Sequence, residues 1–322
     1  MAHARSLDFR AFVKRLTGGT IRRMGSIAPG AVALMLAGCS PQSAPAPVED
    51  SLTSGRITVV SATEASGLMA RERDAFQSLY PKAVVEVAEG SCRHAIGELF
   101  AARCDLAVIT RELAVDERAA AVRGRLELEG YRFARDAVVM VVHPGNPVEN
   151  LTIDEVRLIF GGEAASWEAF GGRDRRIVPV VQPVASDMTE VFVQQVMGGL
   201  EIRARSRVAG SDSEVVAAVA AEPGAIGFVS LAWAERGARA LSIASLRGLP
   251  YWKPDLEPVY RGQYPLTRFF NLYVRAAGAK LANGLITFVT SIDGQRLVQQ
   301  AGYVPTAVPV RFVRRSLLLG TH

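Results

Sequence analysis

The chain has 322 residues, 49% of them hydrophobic and 21% charged, which is enough apolar material for one large buried core or two. Its formal charge of +5 is misleading, because residues 1–39 hold Arg5, Arg10, Lys14, Arg15, Arg22 and Arg23 against the single acid Asp8, leaving 31 basic and 31 acidic residues in the rest. The pI of about 9.3 therefore belongs to the leader and gives no support to nucleic-acid binding, and with four His, two of them His3 and His322, a His-built metal site is not expected.

The basic leader runs into an apolar stretch, Ile27 to Ala37. That stretch is too short for a permanent membrane span and suits a signal-peptide core. It ends on Leu36-Ala37-Gly38-Cys39, which resembles the lipobox of bacterial lipoproteins. The resemblance implies cleavage before Cys39, lipidation of its thiol and a periplasmic or extracytoplasmic location at a membrane; an ordinary signal peptide is the alternative. Arg22-Arg23 is similar to a twin-arginine signal, but the residues after it do not fit one, so it reads as a plain basic region. Residues 40–55, rich in Ser and Pro and then acidic, read as a flexible tether unable to bury enough apolar surface to fold.

Order is expected from Arg56. Ile57–Val60 is β-rich, the small polar run Ser61–Gly67 reads as a loop, and Leu68, Ala75, Phe76 and Leu79 follow with helical spacing up to Pro81. Ala83–Val87 is a second strand. Gly90-Ser91 opens a second helix through Ile96, Leu99 and Phe100, and Cys104-Asp105 leads into a buried strand, Leu106–Ile109. Strand–helix–strand–helix–strand argues for βαβ units and a parallel sheet. Ala137–Val142 is apolar throughout, as a strand buried on both faces would be. Thr152 and Glu155 form a capping-box pattern ahead of a helix ending near Phe160. Ile177–Val181 is a strand followed by Gln182–Thr189, a second loop leading to a helix start. A helix from Ser213 to Ala221, the turn Pro223-Gly224, the strand Ala225–Val229, the strand Phe269–Val274 and a helix through Leu285 and Phe288 complete the series.

Ser91 at a helix start sets a hydroxyl beside unpaired N–H groups where the helix dipole favours an anion; a simple N-cap is the bland alternative. Asp105 reads equally as a turn acid. Cys92 and Cys104 flank one helix; either they pair, as an exported compartment permits, or they are two buried small residues. Arg173–Arg176 is a solvated run, His94 reads as a packed helix residue, and Trp167, Trp233 and Trp252 read as packing or cleft walls.

Taken in order, Ser61–Gly67, Gly90-Ser91, Asp105-Leu106-Ala107 with Thr110-Arg111, Asp136-Ala137 through Asn146-Pro147, Leu151-Thr152 to Gly161, Trp167, Gly171-Gly172, Pro223–Val229, Tyr264-Pro265-Leu266 and Gly302–Pro305 resemble the phosphate-binding protein of bacterial phosphate ABC transporters, a two-lobed type II periplasmic binding protein. The resemblance implies an α/β fold of two lobes, each a mixed or parallel sheet flanked by helices. Lobe one would be residues 56–140 plus 230–314 and lobe two 141–229, with Val138–Val142 as the outgoing crossover and Ala225–Val229 leading the return. The ligand would bind between them at strand ends. Carried over residue by residue, the ligand set would be Thr63, Ser91, Asp105, Ser186 and Thr189. Asp105 would accept a hydrogen bond from a protonated phosphate oxygen and so reject sulfate, which has no such proton.

Two positions depart from the family pattern. Glu64 stands about where a Thr hydroxyl is usual, and Gln182 or Pro183 where the third loop has an Arg. Arg93, just inside the second helix, is the candidate replacement cation. The leading function is lipid-anchored capture of inorganic phosphate or a similar oxyanion for an ABC permease, by a monomer, through lobe closure, without cofactor or metal. The alternative is a sensory or scaffold lipoprotein with weakened or altered anion binding. An enzyme is the third reading, and no metal-ligand cluster or Ser-His-Asp grouping with plausible spacing supports it.

Overall fold

The computed structural model describes residues 50–306. The leader, the Cys39 lipobox, the tether up to residue 49 and the tail arginines Arg311, Arg314 and Arg315 lie outside the described residues. Part of the expected tether is structured. The Asp50 carboxylate accepts from the N–H groups of Lys280 and Leu281 at 3.0 and 3.2 Å, capping a helix whose own N-cap residue, Ala279, has no side-chain oxygen. Gly284 lets this segment lie close, since a Cβ there would meet the Leu52 carbonyl oxygen at 1.8 Å.

From there the chain runs β1 (Gly55–Ala62), α1 (Thr63–Leu79), β2 (Ala83–Gly90), α2 (Cys92–Phe100), β3 (Leu106–Ile109), α3 (Val115–Arg123) and the long β4 (Leu128–Val142). β1 pairs in parallel with both β2 and β3, as the βαβ pattern predicts. The apolar stripes of α1 (Leu68, Met69, Phe76) and α2 (Ala95, Ile96, Leu99) pack on opposite sides of this sheet, in separate clusters.

β4 joins the two halves of the fold. Its first part pairs antiparallel with a returning strand up to Ala137, and from Val138 onward it pairs with a different strand. The six residues Ala137–Val142 at its C-terminal end are all apolar and all buried, because the strand is covered on both sides there. The chain continues through β5 (Asn150–Thr152), α4 (Ile153–Gly161), β6 (Val178–Val181), α5 (Asp187–Gln195), β7 (Arg207–Val208), α6 (Asp212–Ala221) and β8 (Ala225–Ser230). The capping box forms as expected, Thr152 Oγ1 accepting from Glu155 N–H and Glu155 from Thr152 N–H. Gly162, at φ +81°, ends α4 in the left-handed conformation that favours glycine.

The lobe boundary moves from the expected one. After β8 come β9 (Arg239–Ala240), β10 (Ser242–Ala244) and α7 (Leu256–Tyr260). β9 pairs with the second half of β4, β10 pairs with β5, and Leu241, Ile243, Val259, Tyr264 and Leu266 all belong to the second core. Residues 231–266 are therefore part of lobe two. The return is made by β11 (Thr267–Arg275), antiparallel to both β3 and the first half of β4, followed by α8 (Lys280–Val289), α9 (Ile292–Gln300) and β12 (Val304–Pro305). The strand order β2-β1-β3-β11-β4-β8-β6-β7 makes one continuous mixed sheet with a core on each side of the β4 crossover.

Candidate functional site: the interlobe cleft

Parallel strands deliver the following helices to the same edge of a sheet, so their N-termini collect at the strand C-terminal ends. Here β1 runs directly into α1 and β2 into α2 in lobe one, while β6 and β7 lead into α5 and α6 in lobe two. The expected loop Ser61–Gly67 does not exist as a loop, since α1 starts at Thr63 and takes in the rest. The four helix starts surround one cavity of about 400 Å³, lined by Thr63, Glu64, Ser91, Gln182, Ser186, Asp187, Gly210, Ser211, Asp212, Ser213, Trp233 and Tyr303.

The floor of this cleft lies at the crossover and is ionic. Arg268, on β11, is buried, with Asp136 opposite it on β4 in sheet register. Its guanidinium donates to Asp136 Oδ2 at 2.9 Å and forms a second ion pair with Glu64 Oε2 at 2.7 Å. Asp136 Oδ1 accepts from Ser230 Oγ and Leu231 N–H at 3.0 and 2.9 Å, tying the strand that leaves lobe one to the end of β8. Asp212 accepts from Gln182 Nε2 at 2.6 Å and from Ser230 N–H at 3.2 Å. Burial opposes the charge on Arg268, but Glu64 and Asp136 outweigh it and raise its pKa. Burial raises the Glu64 carboxyl against the pull of Arg268. Burial, reinforced by the nearby Glu64 charge, pushes Asp212 up to about 7. Together, cleft and floor set the carboxylates of Glu64, Asp136, Asp187 and Asp212 against the Arg268 cation.

A family model described as a PBP superfamily domain matches residues 46–293, more than three quarters of the chain. The chain belongs to the PBP superfamily. It is 28% identical over 180 residues to the phosphate-binding protein PstS of Bacillus subtilis, a match spanning 55% of this chain and 58% of that protein. It is 22% identical over 281 residues to PstS of Pseudomonas aeruginosa, covering 82% of this chain and 86% of that one. Among solved structures, an ABC-type phosphate transport receptor from Vibrio cholerae aligns over 78% of this chain and all of its own, at 23% identity and a TM-score of 0.68. PstS from Borrelia burgdorferi aligns over 78% of this chain and 99% of its own, at 20% identity and a TM-score of 0.60. These likenesses give the two-lobed α/β fold. A PBP superfamily domain of this kind is a non-catalytic binding protein.

Within this PBP superfamily fold, the cleft brings together four of the six residues singled out from the sequence. Thr63 and Ser91 line it from lobe one and Ser186 from lobe two. Thr189 is buried directly behind Ser186, accepting from its hydroxyl at 3.0 Å and donating to the Gln182 carbonyl at 3.2 Å. Ser91 and Ser186 each cap their helix, accepting from His94 and Thr189 N–H, so the N-cap and cleft-lining readings hold together.

Asp105 and Arg93 are not part of the cleft. Asp105 precedes β3 at the opposite end of the sheet, where its carboxylate accepts from Thr58 N–H at 2.9 Å. Thr58 lies five residues before Thr63 on an extended strand, roughly 16 Å from the cleft edge at ~3.3 Å per residue. Arg93 sits on the solvent side of α2, because Cys92, Ala95, Ile96 and Leu99 take the buried stripe, and its guanidinium pairs with Asp116 at 2.8 Å. His94 is exposed beside it. Cys92 and Cys104 are both free and buried. The α2 helix between them spans about 13 Å at 1.5 Å per residue, well beyond disulfide reach.

The cation that sequence reasoning missed is Arg268. Its signal was the period of β11: Arg268, Phe270, Leu272 and Val274 alternate onto the buried face, so a charged side chain in that row needs buried carboxylate partners. Among the described residues, no group of three or more His, Cys, Asp or Glu side chains is placed to hold a metal ion.

Proposed function

We propose that this chain is the extracytoplasmic substrate-binding protein of an ABC transporter, held at the membrane by a lipid on Cys39, and that it captures inorganic phosphate, or an oxyanion of similar shape, between its lobes. One observation carries the reading: four helix N-termini, two from each lobe, converge with the hydroxyls of Thr63, Ser91, Ser186, Ser211 and Ser213 on a single small cavity. Helix starts offer N–H donors and a favourable dipole to an anion. The kinship with proteins named for phosphate binding points to the same ligand class.

In the proposed cycle, the lobes turn about the crossover formed by β4 and the Leu266–Thr267 return, and the ligand favours the closed state through contacts available only when both lobes touch it. The loaded monomer then hands its anion to a membrane permease. Isothermal titration of the purified protein with phosphate tests the reading. Saturable heat is expected, and no heat at millimolar phosphate refutes capture. Metabolic labelling with a fatty acid tests the anchor, with the label expected on the wild type and lost in Cys39→Ser.

A second reading, a sensory or scaffold lipoprotein with weakened anion binding, draws on the excess of carboxylates at the cleft. The same titration separates the two.

A further inference from the structure

The most unusual contact in the cleft is made by Asp187. This residue is the first of α5, in lobe two, and its helix is already capped by Ser186. Its carboxylate does not serve its own helix but reaches across to lobe one. Its two oxygens lie 3.1 and 3.0 Å from the Cys92 N–H, the first donor of α2 beyond the Ser91 cap, and Asp187 is only 7% exposed.

Of the four helices that meet here, α2 is the one with no acid in its own first turn; α1 has Glu64, α5 has Asp187 and Glu190, and α6 has Asp212 and Glu214. Lobe two thus supplies to α2 the anion that lobe one omits. Three residues further along the same face of α5, Glu190 also crosses the gap and meets Arg111 at 3.2 Å, with the exposed Arg93 guanidinium at 3.9 Å, Arg111 being held in lobe one by a bidentate pair with Glu117. Two carboxylates on one helix face therefore bind the opposite lobe, one through a helix N-terminus and one through a buried guanidinium.

We propose that Asp187 is a built-in surrogate anion. In the empty protein its carboxylate occupies the α2 N-terminus, and with Glu190 it holds the lobes together. An oxyanion ligand reaches that seat only by displacing it. The ligand half of this inference rests on the function proposed above; the latch half does not. The two carboxylates are separable, because Glu190 closes the gap without touching the α2 seat.

The test compares Asp187→Asn, Asp187→Ser and Glu190→Gln with the wild type in the full chain, by three readouts. Amide hydrogen exchange over residues 90–95 reads the Cys92 N–H, small-angle scattering reads lobe opening without ligand, and titration reads the affinity for inorganic phosphate. Asp187→Ser keeps a small polar side chain in the first turn of α5 and serves if Asp187→Asn folds poorly. Expected are faster exchange at Cys92 and at least tenfold tighter phosphate binding in the Asp187 variants alone, with a larger radius of gyration in all three. Unchanged exchange and an unchanged radius in the Asp187 variants overturn the latch. Phosphate binding weakened in both Asp187 variants overturns the surrogate role, because Asp187 is then a ligand-binding group itself. If the wild type and every variant ignore phosphate, the proposed function fails, while exchange and scattering still decide the latch.

Discussion

Glu64 and Arg268 meet at 2.7 Å on the cleft floor, so the guanidinium buried there pairs with a carboxylate of α1 as well as with Asp136. Glu64 lies in the first turn of α1 and lines the cleft beside Thr63. Replacing it by Gln removes a repelling charge and frees one side of Arg268. Glu64→Gln is expected to tighten phosphate binding by roughly five- to tenfold, about 1–1.4 kcal/mol, read by titration. Arg268→Met, by contrast, leaves Asp136 and Glu64 buried without their cation. Its expected cost is about 3–5 kcal/mol of stability in urea unfolding.

Asp105 has a structural task at the far end of the sheet, accepting from Thr58 N–H at 2.9 Å. Asp105→Asn is therefore expected to leave the preference for phosphate over sulfate unchanged while lowering stability by about 1.5 kcal/mol, the lower end for a hydrogen bond to a charged acceptor. Competition titrations with the two anions check the first outcome and denaturant melts the second. A changed anion ratio would return Asp105 to the site.

Arg93 offers a matching control. Its pairing with Asp116 joins side chains that are 60% and 65% exposed, where an ion pair is worth at most about 1 kcal/mol. Arg93→Ala should leave phosphate affinity within about twofold of the wild type, and its small stability loss should shrink further at high salt.

Glu72 lies on the buried stripe of α1 with neither carboxylate oxygen hydrogen-bonded. Burial pushes its pKa up to about 9 from 4.5. A carboxyl raised in this way does not weaken the fold below pH 4.5, where it is protonated in both states. Above that the unfolded chain ionises first, and stability falls as pH rises toward 9. At pH 7 the loss is roughly 3 kcal/mol. Glu72→Gln should recover much of it, and the gap between variant and wild type in thermal melts should widen from pH 5 to pH 9. A gap that does not change with pH would show that Glu72 is not the titrating group.

Much of this protein was decided by local pattern. The βαβ order, the capping box of Thr152 and Glu155, the helix starts at Ser91 and Ser186 and the doubly buried stretch of β4 all follow from the spacing of apolar residues and caps, which depend only on near neighbours along the chain. Ser91 was legible for the same reason, as a hydroxyl at a helix start, while Thr63 and Ser186 came from the family resemblance, position by position, and all three line the cleft. What the sequence left open depends on residues far apart in the chain. Whether residues 231–266 pack with one lobe or the other turns on which half of β4 they pair with. Asp105 lies just before a strand, and only the sheet register shows that this is the end away from the cleft. Arg268 rather than Arg93 is buried behind Glu64 of the cleft because β11 inserts antiparallel between β3 and β4 and brings Arg268 opposite Asp136, 132 residues away in the chain. The Asp187–Cys92 contact, across 95 residues, likewise exists only once the two lobes face each other. Caps and periodicity are local free energies and can be read in order; pairing of buried charges is a property of the assembled fold, set by strand order and lobe apposition.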